Sequence, residues 1–466
     1  MFAPQTYQAR REALASHIGR GLILLQGNVE VGMNYADNIY PFRQDSTFLY
    51  YFGLDLPGLS GIIDTETGAG ILFGDDLTMD MIVWTGPMPS LQELGAQVGV
   101  TDIRSTQALP TMLAEAWSKG AEIHYLPPYR HRNTAVIHEA LNLPLAEVKQ
   151  QASQRLVLAV MNQRSYKSAE ELEQLDEACN RTGAMHLAAM RSAKPGMLES
   201  EVMSQVYRTA LEQSGKHPSF PIILTVHGET LHNHHYHNTL QSGQLLLCDA
   251  GGQSAMNYAG DMTRTFPVDA TFTQQQRDVY EIALAANVEA ANLLKPGVTY
   301  KSIHLEAARI ITRGLKGLGL MKGDVDAAVE AGAHALFFPH GLGHMMGLDV
   351  HDMEDLGETL LGYDEETIRS TQFGLKSLRL GKKLETGFVL TVEPGIYFIP
   401  ALIDNWHKQG LNADFINFEA LEAYKSFGGI RIEDDYVITE SGANLLGKPV
   451  PKTVADIESI RQEALA

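Results

Sequence analysis

Cysteine is scarce in this sequence, and long apolar runs are missing from it. The 466 residues include two cysteines, Cys179 and Cys248, too few for a disulfide framework and typical of a reducing compartment. No apolar stretch approaches the roughly 18 residues that a membrane-spanning helix needs, and residues 1–20 lack the apolar core of a signal peptide. We therefore expect a cytoplasmic protein without a membrane partner.

Basic residues are few relative to acidic ones. The chain has 36 Lys and Arg against 56 Asp and Glu, a formal net charge of −20. This balance argues against a nucleic-acid partner, because phosphate backbones are bound by clustered cations. The content of 44% hydrophobic and 20% charged residues is ordinary for a globular protein. The length fits either about three units or one long fold with a smaller partner domain.

The N-terminal third alternates between helical and strand-like patterns. An amphipathic helix is expected over residues 7–18 and another helix over 107–119. Short apolar runs bounded by turn-forming residues predict five strands, over residues 21–25, 61–64, 70–73, 81–84 and 122–126. The rhythm predicts a small α/β domain over residues 1–160, and no catalytic constellation occurs in it.

The remainder, residues 161–466, contains an internal duplication. A helix that begins with the capping-box pair Ser168 and Glu171 ends at a Lys-Pro-Gly, residues 194–196, and the same tripeptide recurs at 295–297. Each tripeptide precedes a helix, a strand-like segment with histidines, a buried strand ending in a carboxylate, and a further acid-bearing strand. Four features repeated in the same order predict two βαβ-like halves about a pseudo-twofold axis, with equivalent acids meeting at the centre.

Five residues in these repeated positions form an oxygen-rich set of possible metal ligands: Asp249, Asp261, His344, Glu393 and Glu433. Four carboxylates and one imidazole suit Mn²⁺, Co²⁺ or Fe²⁺ better than a thiolate-preferring structural zinc. Bridging carboxylates can hold two divalent cations side by side, and a water between the cations then becomes hydroxide near neutral pH. Any one of these acids alone is more simply a helix cap or a surface residue. Their shared placement at the ends of apolar strands favours the metal site.

Four segments in this region resemble the signature segments of a known family: DAGGQSAMNYAGDMTRTF, HGLGHMMGLDVHD, TVEPGIY and GGIRIEDD. They are similar to those of the prolidase and aminopeptidase P branch of the creatinase–methionine aminopeptidase superfamily. FRQDSTFLYYFG, residues 42–53, resembles the N-terminal domain of that branch. The resemblance implies an α/β (α+β) architecture, with a C-terminal pita-bread fold preceded by a smaller creatinase-like domain.

The same resemblance implies roles for the predicted ligands. Asp249 and Asp261 would bind one metal ion, His344 and Glu393 the other, and Asp261 and Glu433 would bridge the two. The loop between Asp249 and Asp261 is one residue longer than the family pattern, at GGQSAM, and we expect a hairpin tip to absorb the extra residue. Glu393 would also carry protons during catalysis.

Further residues are assigned by their positions in the family motifs. His351 would stabilise the oxyanion, His340 would contact the proline side, and His232 would line the substrate cleft. His340 and His344 also form an HxxxH, but a zincin needs a helix and a glutamate after the first histidine, which HGLGH does not provide. The other histidines of LHNHHYHN could mimic a His-rich metal tract, and a hydrogen-bonded strand end is the favoured interpretation for them.

Three more residues are assigned to the substrate side. Arg431 lies two residues before Glu433, so both point the same way along a strand, and we expect it to anchor that acid. Arg379 matches the arginine that holds the substrate's C-terminal carboxylate in prolidases; a solvated loop charge is its alternative. Trp84 matches a tryptophan that reaches a neighbouring subunit's cleft in relatives; a buried core position is its alternative.

The sequence as a whole therefore predicts a dinuclear metallopeptidase that cleaves the Xaa-Pro bond, foremost in dipeptides, through a metal-bridging hydroxide. An Xaa-Pro aminopeptidase acting on longer peptides is the alternative. A non-catalytic binding module and a metal-free creatinase fit less well, because all five ligands are present. We expect two Mn²⁺ ions, with Co²⁺, Fe²⁺ or Zn²⁺ as substitutes, and a homodimer or larger homo-oligomer.

Overall fold

A computed structural model describes all of residues 1–466, and the chain divides into two units, Met1–Arg164 and Ser165–Ala466. None of the helices in either unit combines the length and apolar character that crossing a bilayer requires.

A mixed five-stranded sheet forms the centre of the first unit. Its strands are β1 (Leu22–Gln26), β2 (Ser60–Asp64), β3 (Gly70–Phe73), β4 (Asp102–Arg104) and β5 (Ile123–Tyr125). The spatial order is β4-β3-β2-β1-β5, with antiparallel pairs in the middle and parallel pairs at both edges. The strands β1, β2, β3 and β5 contribute buried residues to a core cluster that helices complete.

Eight helices belong to this N-terminal region: α1 (Pro4–Ile18), α2 (Ser46–Phe52), α3 (Met79–Thr85), α4 (Leu91–Gln97), α5 (Ala108–Ser118), α6 (His131–Leu141), α7 (Leu145–Val148) and α8 (Gln154–Ser165). The side chain of Asp45 caps α2 by accepting a hydrogen bond from the amide of Phe48 at 2.8 Å. Gly53 ends α2 with φ of +65°, and a Cβ there would lie 2.4 Å from the Tyr7 ring. Only glycine fits this turn.

One predicted strand of this unit is wrong. Residues 81–84 lie in helix α3, whose N-cap Thr78 accepts a hydrogen bond from the amide of Met81 at 3.3 Å. A short apolar run cannot by itself distinguish strand from helix, and here the cap decides. No residue of α3 is buried, so the run does not contribute to the core.

The second unit consists of two similar halves. The first half contains helices α9 (Ala169–Ser192) and α10 (Glu199–Ser214), and strands β6 (Ile223–Thr225), β7 (Leu245–Ala250) and β8 (Met262–Pro267). The second half contains helices α11 (Gln274–Asn292) and α12 (Tyr300–Gly317), and strands β9 (Val389–Val392), β10 (Gly395–Tyr397), β11 (Gly429–Arg431), β12 (Asp434–Ile438) and β13 (Ala443–Leu445). The second half also contains shorter helices, which lie between and after these elements: α13 (Val325–Glu330), α14 (Glu358–Gly362), α15 (Pro400–Gln409), α16 (Phe418–Leu421) and, at the C-terminus, α17 (Val454–Leu465).

The predicted helix boundaries in this unit are confirmed. Ser168 and Glu171 form the capping box of α9, with the amide of each bonded to the other's side chain at 3.1 and 3.3 Å. Both Lys-Pro-Gly tripeptides end in a glycine with positive φ, +92° at Gly196 and +83° at Gly297. Each glycine lets the chain turn after a long helix and enter the next one.

Each half contributes an antiparallel three-stranded sheet, ordered β6-β7-β8 and β13-β12-β9. β10 and β11 form a separate antiparallel pair. An isolated bridge between Thr263 and Glu433 joins β8 to the segment between β11 and β12. The two halves therefore meet where the predicted acidic ligands lie.

Candidate metal centre

The five predicted ligands lie around one cavity of about 390 Å³ in the second unit. Asp249 is near the end of β7 and Asp261 immediately precedes β8; Glu393 follows β9, and Glu433 lies between β11 and β12. His344 lies on a loop. Ligand atoms of Asp261, His344 and Glu433 lie within 4.8 Å of one another. Residues distant in the sequence thus converge as the duplication predicts.

The loop that carries His344 runs along β9 rather than forming the strand-like segment that the sequence predicts. The amide of His344 donates to Thr391 Oγ1 at 3.2 Å, and the amide of Thr391 donates to the His344 carbonyl at 3.1 Å. A Cβ on Gly343 would lie 2.1 Å from the Thr391 carbonyl oxygen. Gly343 of HGLGH therefore serves this close backbone approach.

The imidazole of His344 is set up as a neutral ligand. Its Nδ1 lies 3.0 Å from the Met345 carbonyl oxygen, so the ring proton is held on Nδ1 and Nε2 keeps its lone pair. Nε2 faces the acids, 3.3 Å from Asp261 Oδ2 and 4.0 Å from Glu393 Oε1. Burial lowers the pKa of His344 to about 4. A backbone carbonyl that fixes the tautomer is typical of metal-binding histidines.

The acids repel one another in a buried space. Burial, and then the charge of Glu433, raise the pKa of Asp261 well above its ordinary value, and burial followed by Glu393 does the same for Glu433. Burial raises the pKa of Glu393 to about 8. Asp249 Oδ1 is buried without a hydrogen-bond partner. An oxygen-rich set with a buried, unpartnered carboxylate oxygen fits hard divalent cations, which would relieve this repulsion.

Arg431 contacts a different acid from the one predicted. Its Nη2 donates to Asp249 Oδ2, its Nε donates to Thr263 Oγ1 at 3.0 Å, and Thr263 in turn donates to Glu433 Oε2 at 2.7 Å. The expected direct anchoring of Glu433 is therefore wrong. Strand β11 ends at Arg431, so the alternation of side chains that the prediction assumed does not continue to Glu433.

The loop between Asp249 and Asp261 forms a hairpin, as expected. Gln253 and Ala259 form an antiparallel bridge, and the amide of Ser254 donates to the Tyr258 carbonyl at 2.9 Å. Residues 251–256, where the sequence departs from the family pattern, therefore lie in this hairpin. The amide of Asp261 donates to Asp435 Oδ2 at 3.0 Å, which fixes the position of this ligand beyond the hairpin.

The two flanking histidines both line the cavity but differ in their partners. His340 uses both ring nitrogens within the protein: Nδ1 lies 2.8 Å from the Gly341 carbonyl oxygen and Nε2 lies 2.9 Å from the Tyr397 hydroxyl. The ring of His351 lies 4.2 Å from that of His344, centroid to centroid. Burial is the main cause that lowers the pKa of His340 to about 3 and that of His351 to about 2. Both rings are therefore neutral near pH 7.

His232 lines the same cavity, as does His234. Burial lowers the pKa of His232. Residues 231–238 form a turn and an irregular loop rather than the hydrogen-bonded strand end that the sequence analysis predicts for this histidine-rich segment. Asparagine and glycine in HGETLHNHH favour such turns, and apolar alternation is missing. His235 and His237 do not line the cavity.

Arg379 also lines the cavity, and its Nη1 donates to Glu354 Oε2 and lies 3.7 Å from Glu358 Oε2. The alternative of a solvated loop charge is therefore wrong. Trp84 belongs to the first unit and is 87% exposed, which excludes the alternative of a buried core tryptophan.

Several cavity residues were not predicted from the sequence. Phe220, Pro221, Leu231 and Val350 give it an apolar wall. Tyr397 accepts a hydrogen bond from Arg431 Nη1 at 2.8 Å and donates to His340, so it links two predicted residues. The sequence feature that could have identified Tyr397 is its place in TVEPGIY, four residues after the predicted ligand Glu393.

The fold and the acid-rich cavity define the protein as a metal-dependent hydrolase. The model for metallopeptidase family M24 matches residues 173–440, and the model for the N-terminal domain of aminopeptidase P matches residues 7–124. The chain belongs to metallopeptidase family M24. The predicted family resemblance and fold class are confirmed.

Similar proteins carry two different names. The chain is 34% identical to human Xaa-Pro dipeptidase over 94% of this chain and 88% of that protein. It is 32% identical to Xaa-Pro aminopeptidase of Haemophilus influenzae, over 97% of this chain and 96% of that protein. Proline aminopeptidase P II from Yersinia pestis superposes with a TM-score of 0.82 at 30% identity, over 99% of this chain and all (100%) of that one.

Proposed function

We propose that this protein is a dinuclear metallopeptidase that hydrolyses the Xaa-Pro bond, foremost in dipeptides. The observation that carries the proposal is the convergence of three buried carboxylates, a partly buried fourth and a neutral imidazole on one cavity. A volume of about 390 Å³ is within the range of small-molecule sites. A binding module without activity would have no need of this costly cluster of buried acids.

We propose the ligand sets that the family resemblance implies. Asp249 and Asp261 would hold one ion, His344 and Glu393 the other, and Asp261 and Glu433 would contact both. We propose Mn²⁺ as the resident ion, with Co²⁺, Fe²⁺ or Zn²⁺ able to replace it. When bound, the ions would supply a water molecule acidic enough to act as the nucleophile near neutral pH.

The proposed proton carrier is Glu393. Proline's amide nitrogen has no hydrogen, so the amine that leaves must receive a proton from the protein. A carboxylate that lies in the cavity beside the proposed ions can accept a proton from the attacking water and return it to the leaving amine. His340, whose Nδ1 lies 3.7 Å from Glu393 Oε2, would contact the proline side. His351 would stabilise the oxyanion.

Arg379 and His232 would bind the two ends of the substrate. Both line the cavity, and a charge-assisted bond from Arg379 to a terminal carboxylate would favour dipeptides. One observation favours the aminopeptidase alternative: Arg379 already donates a hydrogen bond to Glu354, so only part of its guanidinium is left for a substrate carboxylate. The relatives carry both names.

The remaining proposals concern the setting of the reaction. We propose residues 1–160 as an N-terminal domain and 161–466 as the catalytic domain of a cytoplasmic homodimer or larger homo-oligomer. Two buried free cysteines suit a reducing compartment. The exposed Trp84 would reach the cleft of a neighbouring subunit.

The test uses protein stripped of metal with EDTA and reloaded with Mn²⁺. We expect Mn²⁺-dependent cleavage of Ala-Pro and Gly-Pro, slower cleavage of Ala-Pro-Ala and none of Ala-Ala. Glu393→Gln should lower kcat by roughly 10³-fold or more, because it removes a ligand and a proton carrier together. The exposed Glu366→Gln is the matched control. Failure to cleave any Xaa-Pro peptide with any of the four metals would refute the proposal, and faster cleavage of Ala-Pro-Ala would favour the aminopeptidase.

A further inference from the structure

Glu354 contacts two side chains that line the cavity, although it does not line the cavity itself. Its Oε2 accepts a hydrogen bond from Arg379 Nη1 and lies 3.4 Å from His351 Nδ1. One carboxylate oxygen thus faces both the residue proposed for the oxyanion and the residue proposed for the substrate carboxylate. No sequence motif singled out this glutamate among its acidic neighbours in HDMEDLGE.

The backbone between His351 and Glu354 brings this carboxylate behind the histidine. Met353 adopts a left-handed conformation with φ of +61°, unusual for a residue with a side chain, and is itself buried. A short 3-10 turn over residues 354–356 follows it. Such strain persists where the surrounding structure over-determines it, and it is often found next to functional residues.

Glu354 is largely removed from water, with 13% of its side chain exposed. Its second oxygen, Oε1, is buried and has no hydrogen-bond partner. Burying a carboxylate is costly, and the contact with Arg379 offsets only part of that cost. Burial raises the pKa of Glu354 to about 7, while Arg379 opposes that rise. A buried acid between two cavity side chains lowers the stability of the fold, and a residue with a purely structural role would not need to be acidic.

We propose that Glu354 is a positioning residue that orients His351 and Arg379 together. A carboxylate beside Nδ1 of His351 holds the ring proton on that nitrogen and fixes the plane of the ring. The same carboxylate engages one edge of the Arg379 guanidinium, whose Nη2 and Nε make no hydrogen bond within the protein. That second edge is therefore left for a ligand carboxylate, which guanidinium groups bind through two parallel bonds. The substrate carboxylate in this proposal is that of the Xaa-Pro dipeptide, so this part rests on the proposed function.

The test compares two substrates that differ only in charge, Ala-Pro and Ala-Pro amide, with Mn²⁺-loaded protein. Glu354→Gln keeps the shape and removes the charge. Through His351 we expect it to lower kcat for both substrates by about tenfold. Through Arg379 we expect it to raise KM for Ala-Pro by about tenfold and to leave KM for the amide unchanged.

Two further variants separate the two effects. Glu358 lies 3.7 Å from Arg379 and has no contact with His351, so Glu358→Gln should change KM for Ala-Pro alone. Glu366, whose Oε2 pairs with exposed Lys383 at 2.5 Å, provides the matched control, and Glu366→Gln should change neither constant. The proposal is overturned if Glu354→Gln behaves like Glu366→Gln, or if it raises KM equally for both substrates.

A measurement that needs no catalysis distinguishes failure of this proposal from failure of the proposed function. Long-range ¹H–¹⁵N spectra of the Zn²⁺-loaded protein report the tautomer of His351, with a His351→Asn variant to assign the ring. We expect the proton on Nδ1 in the parent protein and a shift toward Nε2 in Glu354→Gln. An unchanged tautomer would overturn the positioning role, whereas a parent protein that cleaves neither substrate would refute only the proposed function.

Discussion

Arg431 donates a hydrogen bond from Nη2 to Asp249 Oδ2, and both groups are buried in the cavity that holds the other acids. Arg431 thereby opposes the rise in the pKa of Asp249 that burial causes. In Arg431→Met this opposition is lost, so Asp249 holds its proton more tightly and competes less well for a cation.

The prediction is a loss of Mn²⁺ affinity of about 10–100-fold near pH 7 in Arg431→Met, as for other residues that support metal ligands. The loss should shrink as pH rises, because the proton is then removed more easily. Isothermal calorimetry at two pH values measures it. Arg309→Met, on the exposed face of α12, is the control. Unchanged affinity would contradict the role of Arg431.

The pH dependence of stability should differ between metal-free and metal-bound protein. Burial raises the pKa of Glu393 from an ordinary 4.5 to about 8. The folded protein therefore loses stability as pH rises toward 8, because the buried carboxyl must then give up its proton. Buried histidines such as His344, with a pKa of about 4, make the protein more stable as pH rises. They do so only below the ordinary histidine pKa of 6.5. Above pH 7 the carboxyls therefore decide the sign.

We expect the free energy of unfolding of EDTA-treated protein to fall between pH 7 and 8, by about 1 kcal/mol per pH unit for each such carboxyl. Stabilisation by Mn²⁺ should grow over the same interval, because fewer protons compete with the ion. Urea unfolding with and without Mn²⁺ measures both trends. A metal-free protein that becomes more stable above pH 7 would contradict the raised pKa values.

Arg379→Ala should discriminate between substrates of different length. The loss of a charge-assisted bond of about 1.5–3 kcal/mol should raise KM for Ala-Pro by about tenfold to a hundredfold. KM for Ala-Pro-Ala should change little, because its carboxylate lies one residue further out. Steady-state kinetics with both peptides gives the comparison, and Lys376→Ala in the same loop is the control. Equal effects on both peptides would exclude a carboxylate-binding role.

Trp84→Ala tests the proposed assembly. If the exposed indole enters a neighbouring subunit's cleft, its removal should raise KM several-fold, and dilution to the monomer should lower activity in the parent protein. Light scattering and activity measured over the same concentration range detect this. Trp117→Ala is a suitable control, because Trp117 is also exposed and lies in the same unit. A monomer with full activity would rule out the cross-subunit role.

Lys167 and Asp352 form a buried ion pair, Nζ to Oδ2 at 2.9 Å, with 1% of each side chain exposed. Lys167→Met removes the cation of this buried pair. We expect a loss of about 3–5 kcal/mol in the free energy of unfolding, and recovery of most of it in the double variant Lys167→Met/Asp352→Asn. Urea unfolding measures both. A single variant as stable as the parent would contradict this view of the pair.

The features predictable from the sequence are those that short segments determine. The capping box at Ser168, the glycine turns at Gly196 and Gly297, and the carboxylates at the ends of buried strands follow from local chemistry. Convergence of Asp249, Asp261, His344, Glu393 and Glu433 followed from the repeated order of segments, because equivalent positions meet about a twofold axis.

Other features depend on how distant segments pack. The partner of Arg431 is Asp249 because β11 ends at that arginine, which no alternation rule reveals. Glu354 is indistinguishable in sequence from the acids around it, and its place behind His351 depends on the left-handed Met353. The apolar run at 81–84 satisfies strand and helix patterns equally, and only its cap at Thr78 separates them.

The bridge between Thr263 and Glu433 has a consequence for how this molecule matures. Because each half supplies only part of the proposed ligand set, neither repeat would retain the proposed cation pair alone, and the ions would enter only after both repeats have folded and docked. Metal capture would then report the completion of folding. A chain interrupted between the repeats would stay inert until its two pieces reassociate.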